Sequence, residues 1–246
     1  MVKVNLLMVA LVLLTAVSLF VSSERSFQKA VFDLCAKKLL QAESGTKALE
    51  PYFPSFLHCL GIEELNAALV QIYAQMGLSP SQTLHATNEW LRTSNKTSMF
   101  FTVWFGILDL STGVITAVNG GHEYPVLRCG GQPYDLLKDR HGLMVGVSAR
   151  AKYTDYEIRL APGDRLFLYT DGVPEAQTAD AHMFGTERML QALNADPDAP
   201  PERLLANVRA AVDSFIGGAK QFDDLTMLCL EYRGPRANPE AEGDAP

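Results

Sequence analysis

LFLYTDGV, Leu166 to Val173, is the stretch whose reading decides the fold: the apolar run Leu166 to Tyr169 meets Thr170, Asp171 and Gly172. A short apolar run that stops at a turn dipeptide reads as a buried strand, which puts its carboxylate at the edge of a core. QFDDLTML, Gln221 to Leu228, shows the same junction in the opposite direction, with Asp223 and Asp224 leading into an apolar strand. Two such strand ends at one rim would gather carboxylates without cysteine or histidine neighbours, which suits a hard cation such as Mg²⁺ or Mn²⁺. Asp223 and Asp224 repel each other, and a cation would relieve that. The plainer reading stands beside it: Asp171-Gly172 is an ordinary turn, and Asp223-Asp224 can cap a loop.

Just upstream, Tyr156, Ile158 and Leu160 alternate with Asp155, Glu157 and Arg159, and Ala161 to Asp164 form a tight turn. The pattern predicts a hairpin that delivers LFLYTDGV. Earlier still, the residues from Met99 to Leu108 are apolar on both period-two faces, which predicts a central strand covered on both sides. Asp109 to Gly113 turn the chain, and Val114 to Asn119 return as its partner. Asn119, Gly120, Gly121 and His122 then crowd a loop before a strand from Val126 to Cys129. The loop is read as an ordering turn with positive-φ glycines, and a phosphate cradle is its sharper alternative.

Helices flank these strands. Ile62, Leu65, Leu69, Ile72 and Met76 recur at helical spacing, so Gly61 to Gln75 reads as an amphipathic helix stopped by Gly77. Ser79, Pro80 and Gln82 spell a capping box for the next helix, with Leu84 and Leu91 facing inward. Beyond Val173 a short helix begins near Thr186 and a longer one spans Pro201 to Phe215, ended by Gly217 and Gly218. Leu225 to Tyr232 is the last strand. The order predicts an α+β fold, an α-β-β-α layered sandwich of antiparallel sheets flanked by helices.

Lys3 to Glu24 bracket an uncharged apolar run, residues 4–22, about the 20 residues needed to span a bilayer. It reads as a hydrophobic helix, a membrane anchor or signal segment, over residues 1–23. Arg25, Lys29, Lys37 and Lys38 follow it, which places the body in the cytoplasm, with a soluble cytoplasmic protein as the alternative. Residues 24–60 read as a linker or irregular region, 61–233 as the domain, and 234–246 as a disordered tail.

The totals set outer limits. A chain of 246 residues with 48% hydrophobic and 20% charged content supports one sizeable core. A formal net charge of −7 offers no overall basic footprint, so nucleic acid is not expected as a partner. The four cysteines lack CxxC spacing, which suggests neither a zinc site nor a disulfide framework.

MFFTVWFGILDLSTGVITAVNGGHEYPVL, APGDRLFLYTDGVPEA and FDDLTML, in this order, resemble the SpoIIE-like branch of the metal-dependent (PPM-type) protein serine/threonine phosphatases. AQMGLSPSQTLHATNEWL is similar to that family's helical region, and the resemblance runs from about Leu65 to Tyr232. It implies a Mn²⁺ or Mg²⁺ centre, dinuclear in the family, that hydrolyses phosphoserine or phosphothreonine on a regulatory protein of the anti-anti-sigma type. Asp171 and Asp223 match the family's metal-ligating aspartates, with Asp224 and Gly172 as further candidates at the centre. The family's early aspartate-bearing strands have no counterpart before Leu65, where Asp33 is the only aspartate. The domain is therefore expected to be incomplete on its N-terminal side, and a non-catalytic, membrane-tethered interaction module is the alternative function.

Overall fold

The computed structural model describes residues 10–15, 76–94, 100–219 and 224–235. The first sheet contains β1 (Ala10–Thr15), β2 (Thr102–Asp109) and β3 (Val114–Gly120) in that order. The second sheet runs β5 (Asp135–Leu136), β4 (Val126–Arg128), β8 (Arg165–Tyr169) and β9 (Met227–Glu231). At the far edge of β3, β6 (His141–Gly142) pairs in parallel and β7 (Tyr156–Arg159) antiparallel, each taking a different part of the strand. Helix α1 (Pro80–Ser94) packs on the first sheet, and α2 (Gly185–Asn194) and α3 (Pro201–Ile216) pack on the second.

Alternation along two strands builds the layers. On β2, Val103 and Phe105 face Leu84 and Leu91 of α1, while Trp104 turns to the space between the sheets. On β8, Leu166 and Leu168 meet Trp104, Ile115 and Ile158 between the sheets, while Phe167 and Tyr169 face Met189, Leu193, Leu204, Val208 and Val212 of the helices. Every residue of β8 is buried. Successive side chains of a strand point to opposite faces, so a strand apolar on both needs cover on both. The α-β-β-α sandwich meets that need.

The expected hairpin before LFLYTDGV does not form. β7 belongs to the first sheet and β8 to the second, so the turn from Ala161 to Asp164 carries the chain between sheets. Asp164 N–H closes the turn on Ala161 O at 2.9 Å, while Leu160 N–H donates to Gly113 O and Gly163 N–H to Tyr232 O, at 2.9 and 2.7 Å. Asp164 fixes the crossing by accepting from Gly130 N and Ala161 N, both at 2.8 Å. A two-residue turn signal marks a reversal but not the sheet in which each arm finds its partner.

Within the apolar run expected as a hydrophobic helix, Ala10–Thr15 form a strand, paired antiparallel with β2 from Ala10↔Ile107 to Thr15↔Thr102. Short apolar sequence fits a buried strand as well as a helix, and an open edge of β2 supplies the partner. Among the described residues no helix is long and apolar enough to cross a membrane. The expected helix over Gly61 to Gln75 and the linker over 24–60 lie outside the described residues, and of the expected tail only Gly234 and Pro235 are described.

The capping box at α1 is present: Ser79 N–H donates to Gln82 Oε1 at 2.9 Å, and Gln82 N–H to Ser79 Oγ at 3.4 Å. Asp155, in the segment before β7, reinforces it by accepting from Ser79 Oγ, Ser81 N and Ser81 Oγ at 2.7, 2.6 and 2.8 Å. A carboxylate at a helix N-terminus satisfies unpaired N–H groups and meets the positive end of the dipole. It also ties the helix to the first sheet.

A polar seam crosses the space between the sheets. The Asp139 carboxylate is fully buried and accepts from Tyr156 Oη at 2.6 Å and Asn119 Nδ2 at 3.0 Å, with His141 Nε2 at 3.3 Å. Trp104 Nε1 donates in turn to Tyr156 Oη at 2.6 Å. His122 is only 3% exposed, with Nδ1 3.3 Å from Thr102 Oγ1. Its Nε2 has no hydrogen-bond partner among the described residues, and the nearby Tyr169 backbone offsets only part of the effect of burial on the ring. Burial, aided by the nearby His141, lowers the imidazole from 6.5 to about 4, so His122 is neutral in the folded protein.

Two predictions follow from these contacts. Asp155→Ala removes an acceptor from three donors and should cost about 1–2 kcal/mol in urea unfolding, with faster amide exchange across 79–83; unchanged stability would refute the tie. For His122 the unfolded chain binds the proton more tightly, so its contribution is complete above pH 6.5 and is lost as pH falls toward 4. Between pH 7 and 4.5 the parent should lose about 2–3 kcal/mol more than His122→Gln in denaturant titrations. Equal losses would mean the imidazole is not held neutral.

Candidate functional site

β8 is held on both faces, so the residues that follow it have one place to go, the rim of the sandwich. Thr170 is 1% exposed and is the last residue inside. Asp171 stands at the edge, half-buried, and Gly172 is buried behind it. Glu175 N–H donates to Asp171 O at 2.9 Å and closes the turn on which the carboxylate sits.

Thr170 also joins the two motifs. Its Oγ1 donates to Asp224 O at 3.0 Å and accepts from Thr226 N at 3.1 Å, while its own N–H donates to Thr226 O at 3.0 Å. The ladder of β8 with β9 continues through this threonine, from Tyr169↔Met227 into the approach to β9. Asp171 and the exposed Asp224 therefore occupy neighbouring strand ends. Asp223 lies outside the described residues.

Two carboxylates not singled out in the sequence share this rim. Glu123 is raised above the ordinary carboxylate range by burial first, then by the negative charges of Asp171 and Glu175. The Tyr169 hydroxyl lies near both Glu123 and Thr186, the second residue of α2, and partly offsets the upward push on Glu123. Glu123 follows His122 directly, so it lay within the loop already marked. No period or spacing connects it with Asp171, because the contact is between β8 and the loop after β3. Thr170 was visible inside YTDG, but its role depends on the strand beside it.

The loop that holds Glu123 is ordered by Asn119. His122 N–H donates to Asn119 Oδ1 at 2.8 Å, and Asn119 Nδ2 donates back to His122 O at 3.1 Å and to Asp139 Oδ2. Gly121 has φ +76°, and a Cβ there would meet Met144 at 2.9 Å; one at Gly120 would press on Leu84, Val103 and Val145 at 3.1–3.2 Å. The loop is thus packed tightly against the sheet, with His122 beneath it in the seam and Glu123 reaching the rim.

Glu123, Asp171 and Glu175 offer oxygen donors alone, and their mutual repulsion shows in Glu123. That donor chemistry fits a hard divalent cation. Among the described residues no set of three acidic, histidine or cysteine side chains is close enough to hold a metal. With Asp223 outside the description, the fit is one of donor type.

The family described as Stage II sporulation protein E (SpoIIE) matches residues 64–233, well over half of the chain. Protein IcfG of Synechocystis sp. is 32% identical over 148 residues, which cover 60% of this chain and 23% of IcfG. Phosphoserine phosphatase RsbU of Bacillus subtilis is 28% identical over 111 residues, covering 44% of this chain and 32% of RsbU. The chain therefore spans a third or less of the length of these relatives. Among solved structures, the SiaA-PP2C domain of Pseudomonas aeruginosa is similar at 20% identity with a TM-score of 0.59, over 69% of this chain and 68% of that one. The PP2C phosphatase domain of Bacillus subtilis SpoIIE, with a fragment of its regulatory domain, matches at 16% identity and a TM-score of 0.56, over 69% and 49%. At these identities the likeness is one of fold, and it is the two-sheet sandwich described above. The family match spans β8, the rim loop and β9 together, and the chain belongs to the SpoIIE family.

Proposed function

We propose that this chain is a metal-dependent protein phosphatase domain, removing phosphate from phosphoserine or phosphothreonine on a regulatory protein of the anti-anti-sigma type. The observation that carries the reading is Thr170, whose hydroxyl joins the TDG strand end to the segment holding Asp224. Membership of the SpoIIE family and the name of RsbU as a phosphoserine phosphatase support it.

Asp171 and Asp223 would hold Mn²⁺ or Mg²⁺, with Asp224 and Gly172 bordering the site. A bound divalent cation supplies charge neutralisation for the phosphoryl oxygens and a more acidic water. The reaction adds water at phosphorus and breaks the P–O bond to the serine or threonine; the side-chain oxygen leaves with a proton and inorganic phosphate is released. Asp171 is aimed by the closed turn to Glu175 and by the buried strand behind it. Glu123 is the rim carboxyl that burial and its acidic neighbours push toward the protonated form.

A cytoplasmic location goes with this reading. It is supported by Cys129 and Cys229, which are free thiols. The non-catalytic alternative draws on the sequence before Leu65, where Asp33 is the only aspartate. Calorimetric titration with Mn²⁺ separates the two readings without depending on turnover.

Asp171→Asn should lower Mn²⁺-dependent hydrolysis of p-nitrophenyl phosphate and of a phosphoserine peptide by about 1000-fold, and should weaken Mn²⁺ binding in calorimetry. Undiminished turnover would sink the assignment. Thr170→Val keeps the shape of the side chain and removes the hydroxyl that joins the motifs. It should cost about 1–2 kcal/mol in urea unfolding and weaken Mn²⁺ binding more than an exposed substitution does. Parent-like Mn²⁺ affinity in this variant would show that the two strand ends are aligned without it.

A further inference from the structure

The chain is acidic overall, yet KDRHGLMVGVSARAK, residues 138–152, carries Lys138, Arg140, Arg150 and Lys152 against one acidic residue, Asp139. Asp139 adds nothing to the surface, since its carboxylate is fully buried and bonded to Tyr156 and Asn119. All four cations are exposed, and among the described residues no ion pair involves any of them.

The fold gathers what the sequence separates. β6 lies along β3 with Asn119↔His141 and Gly120↔Gly142 opposed, and a Cβ on Gly142 would stand 3.0 Å from Lys152 O. The segment that carries Arg150 and Lys152 is thereby brought alongside the one that carries Lys138 and Arg140. The bridge Phe101↔Val145 adds Phe100, 54% exposed, to Leu143 and Val147, 52% and 48% exposed, on the same loop cluster. Exposed aromatic and aliphatic side chains among arginines are the composition of a protein-docking surface. The surface also adjoins the candidate active site: the His141 ring lies against Tyr124, with centroids 4.1 Å apart, and Tyr124 is the chain neighbour of Glu123 at the rim.

We propose that this surface, Lys138, Arg140, Arg150 and Lys152 with Phe100 and Leu143, docks an acidic segment of the substrate protein that flanks its phosphorylated residue. The proposal rests on the phosphatase reading above and adds the location and charge of the recognition surface. Clustered like charges without ion-pair partners among the described residues repel one another, and an acidic ligand relieves that repulsion while steering the phosphoprotein toward the rim.

The test uses two labelled phosphoserine peptides of equal length, one with acidic and one with lysine flanks, together with p-nitrophenyl phosphate. Phosphate release gives kcat/KM, and fluorescence anisotropy gives binding in parallel, each at low and high salt. The parent should favour the acidic peptide by about tenfold at low salt and lose that preference at high salt. Lys138→Glu, Arg140→Glu, Arg150→Glu and Lys152→Glu combined should abolish or invert the ratio, and the same four positions changed to Gln should bring it near one. Equal handling of both peptides by the parent overturns the proposal, as does a preference that survives both variants. Binding of phosphatidylserine vesicles without any peptide preference would overturn it in favour of a lipid surface. Charge-dependent binding without hydrolysis of either peptide or of p-nitrophenyl phosphate would support the docking surface and refute the phosphatase chemistry.

Discussion

Burial of β8 on both faces is the constraint on which the rest of the structure depends. Leu166 and Leu168 fill the space between the sheets while Phe167 and Tyr169 fill the space under α2 and α3. Each such side chain is worth about 1.5–3 kcal/mol on leaving water, against about 1 kcal/mol net for a single hydrogen bond. Packing therefore decides where the strand lies, and the hydrogen bonds decide its register. Asp171 is placed at the rim because the two residues before it are fixed in the core.

Polar groups in the interior are arranged around the same frame. Asp139 is a carboxylate sealed inside the sandwich, tolerated because Tyr156, Asn119 and His141 surround it with donors. Its bond to Asn119 extends to the loop, since the same amide grips the His122 carbonyl and receives the His122 N–H. The position of Glu123 at the rim thus depends on a buried acid in the seam. Arg165 does the corresponding work at the other end of β8, donating to Pro197 O and Ala199 O at 2.9 and 2.7 Å and pairing with Glu231. It fixes the connection between α2 and α3 against the second sheet.

Charge is distributed unevenly over this frame. Glu123, Asp171 and Glu175 concentrate negative charge at the rim, whereas Lys138, Arg140, Arg150 and Lys152 are exposed on the loop cluster beside it. A total of −7 conceals both. The acidic rim suits a cation and the basic surface an anion, and each acts within a Debye length, about 8–10 Å at ordinary salt.

The sequence by itself determined the strands with burial on both sides, the capped start of α1, the stop of α3 at Gly217 and the position of Asp171 at a strand end. These are local: side-chain period, cap chemistry and turn residues act over a few positions, and the family motifs sit on the same positions. Only the tertiary structure decided that the turn at Pro162 and Gly163 crosses between sheets and that Ala10–Thr15 pair with β2. It also decided that Glu123 lies within the field of Asp171 and that Lys152 comes beside Gly142. Each of these depends on which partner a strand or loop finds across the core, and the free energy of that choice is held in contacts between residues far apart in the chain.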